Sequence, residues 1–142
     1  MVWRFEWLRF ISLPQKSNDK FVTFGKTNAM NFSVEPLGKV VVVRANVEKL
    51  DASNAPELKG HFLQLHKLGT NYMVLDLSQT RYCDSSGLSA ILIANRLCKD
   101  TNGGFALSGL QDHVQKMVEI AQLDKVLSIA PNQEEAFDLL AS

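Results

Sequence analysis

One stretch of the 142-residue chain gathers the side chains best suited to chemistry: Arg81-Tyr82-Cys83-Asp84-Ser85-Ser86-Gly87-Leu88. It supplies a carboxylate, two hydroxyls and a glycine where an apolar run hands over to a helical pattern. The free N–H groups and positive dipole end of a helix N-terminus are hospitable to phosphate. A phosphoserine here would add about −1.5 to −2 charges, favoured by the dipole and opposed by Asp84. The plainer alternative is that Ser85 or Ser86 only caps the helix. A second polar stretch, Leu50-Asp51-Ala52-Ser53-Asn54, follows a strand-like run and is expected at the same sheet edge as Ser86. Simple helix capping would also account for it.

The pattern is not that of a hydrolase. A nucleophile elbow needs glycine two residues before its serine, and Asp84 stands there relative to Ser86. His61, His66 and His113 carry no triad signature, and neither GxxxxGK[ST] nor GxGxxG occurs. Two cysteines, Cys83 and Cys98, fit neither a disulfide framework nor a zinc site, so both are expected to be small buried hydrophobes. No catalytic apparatus, metal site or cofactor motif is therefore expected.

The elements that would position these residues begin at Asn31. Phe32–Glu35 and Lys39–Arg44 read as strands joined at Pro36-Leu37-Gly38, and the run Val40-Val41-Val42-Val43 suits a strand buried on both faces. Ala55, Leu58, Phe62 and Leu65 recur at helical spacing after a cap at Ser53 or Asn54, with Pro56 in the first turn. Tyr72–Leu77 reads as a buried strand. The next helix starts near Ser85–Ser86 and turns Gly87, Ile91, Ala94 and Cys98 inward. Phe105–Ser108 is a short strand, Val114, Met117, Val118 and Ala121 mark a helix, and Val126–Ile129 is the last strand. A final helix opens at Pro131-Asn132 and buries Ala136, Phe137 and Leu140. The order ββαβαβαβα predicts an α/β fold: a mixed sheet with an antiparallel first hairpin, parallel strands after it, and helices packed on the sheet. Functional groups then belong at the carboxyl ends of the parallel strands.

Composition agrees with one globular domain, being 46% hydrophobic and 21% charged. Fifteen basic and fifteen acidic residues cancel, so charge gives no reason to expect direct nucleic-acid binding. Residues 1–29 differ from the rest: they hold five basic and two acidic groups, both tryptophans and half of the phenylalanines. Trp3, Trp7 and Phe10 have the spacing of a short amphipathic helix. The segment is read as an extension, with Met30 as an alternative start and residues 30–142 as the domain. No apolar run is long enough to span a bilayer and no signal-peptide pattern opens the chain, so a cytoplasmic location is expected.

Asp84-Ser85-Ser86-Gly87-Leu88 between a buried strand and an apolar helix resembles the signature of the STAS domain (sulfate transporter and anti-sigma factor antagonist). So does Leu50-Asp51 followed by Asn54-Ala55 ahead of the first helix. The likeness spans residues 31–141, including the element order. It departs at Ala45-Asn46-Val47-Glu48-Lys49, where the family often has Gly-Glu or Gly-Asp just before Leu-Asp.

The resemblance implies a single-domain antagonist that binds a kinase-like anti-sigma factor. That kinase phosphorylates the serine directly before the glycine, here Ser86, and so releases the antagonist; a phosphatase resets it. ATP and magnesium would belong to the kinase. The implied partner-binding residues are Asp51, Asn54, Asp84, Ser85 and Gly87. At 100° per residue, Ser89, Leu92 and Arg96 lie opposite the buried stripe of their helix, with Ile93 at its margin, and extend that surface. Alternatively, Leu92 packs under residues 1–29 or a loop. A different functional expectation from the same family is a subunit of an ABC-type lipid transport system that docks on the transporter ATPase.

Overall fold

The computed structural model describes residues 30–141. A five-stranded sheet has the order β1-β2-β4-β6-β7, formed by β1 (Phe32–Leu37), β2 (Val40–Ala45), β4 (Tyr72–Asp76), β6 (Gly104–Ser108) and β7 (Ser128–Ala130). β1 runs antiparallel to β2; every other pairing in this sheet is parallel. Four helices follow in turn: α1 (Ala55–Lys67), α2 (Ser85–Asp100), α3 (Asp112–Ile120) and α4 (Gln133–Ala141). The mixed α/β architecture and the order of its principal elements are those expected.

Period-two alternation sorts the core. Val40, Val42, Val74 and Ala106 face Ala136 and Leu140 of α4, with Phe137 packed partly buried beside them. On the other face, Phe105 of β6 meets Phe62 of α1 edge to face at 5.9 Å, and α1 packs along α2. Val40 to Val43 are all buried, because the sheet is covered on both sides at β2. Ala55, Leu58, Phe62 and Leu65 supply the buried face of α1, and Gly87, Ile91, Ala94 and Cys98 lie on that of α2.

Three local expectations are corrected. The first hairpin turns at Gly38-Lys39, not at Pro36–Gly38; Leu37 pairs with Val40, and Gly38 takes φ +67°, a conformation that favours glycine. Pro36 remains in β1, where an edge strand tolerates its missing donor. The last strand starts at Ser128 rather than Val126, because Leu123–Lys125 closes into a 3-10 turn and leaves Val126 exposed. Finally, two-residue strands β3 (Lys49–Leu50) and β5 (Tyr82–Cys83), absent from the expected order, form a separate parallel ladder. The aromatic segment 1–29, including the expected helix at Trp3, Trp7 and Phe10, lies outside the described residues.

Candidate functional site

The β3–β5 ladder joins the two polar stretches. Leu50 is paired with Cys83, the Asp84 N–H donates to the Leu50 carbonyl at 3.1 Å, and the Arg81 and Tyr82 N–H groups both donate to the Glu48 carbonyl. The Thr80 hydroxyl adds a bond to the Val47 carbonyl at 2.8 Å. The loop that departs from the family pattern, Ala45 to Lys49, is thus the segment that ties the Asp51 turn to the start of α2.

Asp84, not Ser85 or Ser86, caps α2. One carboxylate oxygen, Oδ1, accepts from Ser86 N–H at 2.9 Å and Gly87 N–H at 3.1 Å. An aspartate at this position satisfies two orphan donors and complements the dipole. The Ser86 side chain is consequently released from capping. It lines an open cleft of about 350 Å³ together with Ala52, Ala55, Pro56, Lys59, Ser85 and Ser89, between the first turns of α1 and α2.

Asp51 and Asp84 line a neighbouring groove of about 410 Å³ with Lys49, Tyr82, His113 and Met117, and Asp84 also touches Ser86 through the backbone bond just described. Asp51 is engaged locally, accepting from the Ser53 hydroxyl at 2.6 Å and from Ser53 N–H at 3.0 Å. The Ser53 hydroxyl bond, then its backbone bond, hold the Asp51 carboxyl below the usual aspartate value, with Lys49 adding to the effect against slight desolvation. Tyr82 and His113 meet edge to face at 4.8 Å, and the Lys49 ammonium lies 5.8 Å from the Tyr82 ring centre. These neighbours come from three separate elements, so no local motif announces them.

Asn54 and Gly87 are buried, and each has a structural duty. The Asn54 amide bridges its own loop: Oδ1 accepts from Asp51 N–H at 3.0 Å, and Nδ2 donates to the Lys49 carbonyl at 2.8 Å. Gly87 lies against Leu50 and Cys83 with no room for a side chain. Ser85, Ser89, Leu92 and Arg96 are exposed and follow one line along α2, with Ile93 half-buried beside it. Cys83 and Cys98 are buried, and desolvation pushes both thiols up to about 12, with Asp84 adding to the rise at Cys83. Such thiols are poor nucleophiles. Among the described residues, no group of three or more His, Cys, Asp or Glu is placed to hold a metal, and no helix is long and apolar enough to cross a membrane.

Comparison with known proteins places this geometry. Residues 31–136 match the family model of the STAS domain. BtrV of Bordetella bronchiseptica, assigned as an anti-sigma factor antagonist, is 29% identical over 96 residues, covering 68% of this chain and 76% of that protein. A Thermotoga maritima structure with the same assignment superposes with a TM-score of 0.73 at 26% identity, over 78% of this chain and 95% of that one. The phosphorylated form of SpoIIAA, a Bacillus cell-fate determinant, shares the fold at a TM-score of 0.60 and 21% identity, over 75% and 96% of the two chains. With residues 31–136, most of its length, matched to the family model and its fold shared with the Thermotoga structure, the chain belongs to the STAS domain family.

Proposed function

We propose that this protein is an anti-sigma factor antagonist, a protein-binding module that docks on a kinase-type anti-sigma factor and is released when that kinase phosphorylates Ser86. The observation that carries the reading is the division of labour between Asp84 and Ser86. Asp84 satisfies the helix donors, so the Ser86 side chain faces an open cleft without a capping duty. The anti-sigma factor antagonist assignments of the Bordetella and Thermotoga relatives support the same reading, and the phosphorylated SpoIIAA shares this fold.

The docking surface is formed by Ser85, Ser89, Leu92, Ile93 and Arg96 on α2, with Asp51 and Asp84 on the adjoining groove. Leu92 is 36% exposed and supplies an apolar contact just under two turns beyond Ser86. Asn54 and Gly87 act from beneath by fixing the loop and the helix start. Transfer of the γ-phosphoryl group of ATP to Ser86 Oγ places about two negative charges on this surface, which desolvates poorly and repels acidic groups of the partner. A phosphatase reverses the change. The chemistry of transfer, with its ATP and magnesium, resides in the partner; the antagonist is substrate and ligand rather than enzyme. Residues 30–142 form the working domain, in the cytoplasm and without direct contact to nucleic acid.

Incubation with the cognate kinase and ATP, read by intact mass, is expected to add one phosphate. Ser86→Ala should abolish the addition while retaining partner capture, and Ser86→Asp should weaken capture. Phosphate found on Ser85 with Ser86 untouched would refute the assignment.

A further inference from the structure

Lys59 belongs to no recognised motif, yet among the described residues it is the one ionisable side chain lining the Ser86 cleft. It lies on α1, one turn after Pro56, and faces the hydroxyl-bearing residues Ser85, Ser86 and Ser89 across the cleft. Ala52, Ala55 and Pro56 contribute no competing charge. The side chain is half-buried, as suits a long amphipathic residue at the wall of an open cleft. The acidic groups of its surroundings are committed elsewhere: Glu57 reaches Asn31 and His61, Asp51 holds Ser53, and Asp84 holds the helix donors. Among the described residues, Lys59 forms no ion pair.

A phosphate on Ser86 enters this setting short of partners. The Ser86 and Gly87 N–H groups, which a phosphate at a helix start would normally use, are already taken by Asp84, whose carboxylate also opposes the new charge. We propose that Lys59 is the counter-ion of phosphorylated Ser86, drawing the phosphate into the cleft and bridging the first turns of α1 and α2. The inference rests on Ser86 being the modified residue. It adds a second element to the switch: in the unmodified protein the Lys59 ammonium is available to an acidic group of the docking partner, and phosphorylation removes that cation as well as adding negative charge.

Phosphoserine installed genetically at position 86 of the full chain allows a direct test by phosphorus NMR titration. The second ionisation of the phosphate, ordinarily near pH 6, reports the charges around it: Lys59 across the cleft on α1 and Asp84 at the start of α2, with Asp51 farther off in the adjoining groove. Lys59→Gln is expected to raise this pKa by about half a pH unit, the scale of a solvent-accessible ion pair. Lys59→Arg should restore it, and Asp84→Asn should lower it. Lys125→Gln, in the 3-10 turn after α3, controls for the loss of one surface charge. Equal titration of the Lys59→Gln and Lys125→Gln phosphoproteins, with circular dichroism confirming that both are folded, would overturn the proposal. Failure of the kinase to modify Ser86 would instead refute the proposed function, because the installed phosphoserine makes the titration independent of any kinase.

Discussion

A methyl group placed on Gly87 would stand 2.6 Å from the Cys83 sulfur, closer than any real side-chain carbon approaches such an atom. The Leu50 carbonyl oxygen and Cγ would lie 2.8 and 2.9 Å away. The glycine after Ser86 is therefore what lets α2 settle onto the β3–β5 ladder, with φ playing no special part. Its backbone approach sets where the Ser86 hydroxyl emerges.

Gly87→Ala is expected to destabilise the fold despite the better helix propensity of alanine. Overpacking against a backbone carbonyl, at about 1–3 kcal/mol, outweighs a propensity gain of about 1 kcal/mol and leaves a net loss of up to about 2 kcal/mol. Urea unfolding measures it. Adding Cys83→Ala removes one of the three contacts, so the double variant should lose less than the two single losses added together.

Substitutions at Asp84 separate capping from recognition. Asp84→Ala deprives Ser86 and Gly87 N–H of their acceptor and should cost about 1 kcal/mol. Asp84→Asn keeps an oxygen at the same place, so thermal unfolding should change little. If the charge also serves recognition, Asp84→Asn will still impair phosphorylation or partner affinity; unchanged kinase and binding assays would confine Asp84 to capping.

Asn54→Ala tests whether the loop needs its internal bridge. Two hydrogen bonds vanish, leaving the Asp51 N–H and Lys49 carbonyl without their amide partner. A loss of about 1–3 kcal/mol is expected in chemical denaturation. Asp51 should also shift in carbon-detected NMR titrations, since its Ser53 contacts depend on the same turn.

The His61 imidazole is held below its ordinary value of 6.5 by burial, which outweighs the opposing pull of Glu57. The folded state therefore binds this proton less readily than the unfolded chain. The stabilisation is complete above the unfolded value and is lost as pH falls through the lower folded value. In unfolding free energies taken from urea titrations between about pH 7 and pH 5, the difference between the protein and His61→Gln should carry a slope of at most about 1.4 kcal/mol per pH unit. Asp51 has the same sign but titrates below 3.8, outside that window.

Strong periodicity made the large elements legible. Val40–Val43 could only be a strand covered on both faces, and Leu58, Phe62 and Leu65 could only line one side of a helix. The ladder was not legible, because Lys49-Leu50 and Tyr82-Cys83 are too short to carry a period and are held by backbone bonds blind to side-chain type. Nor was the capping residue: Asp84, Ser85 and Ser86 are all competent caps, and only the extended backbone at Asp84 (φ −98°, ψ −171°) decides among them. Lys59 is hidden in the sequence for a third reason. It sits on an exposed-looking position of another helix, and only the packing of α1 along α2 brings it to the serines.

The ladder also divides the molecule into layers of different persistence. Its strands pair over just two registered positions and form a sheet of their own, hydrogen-bonded to none of the five main strands. Breaking them exposes far less apolar surface than breaking β2 from β4, so brief local openings there need not await global unfolding. In hydrogen–deuterium exchange, the amides of Tyr82 and Asp84 should exchange well before those of Val42 and Val74. The surface proposed to meet a partner can thus breathe and re-form many times within the lifetime of a single folded core.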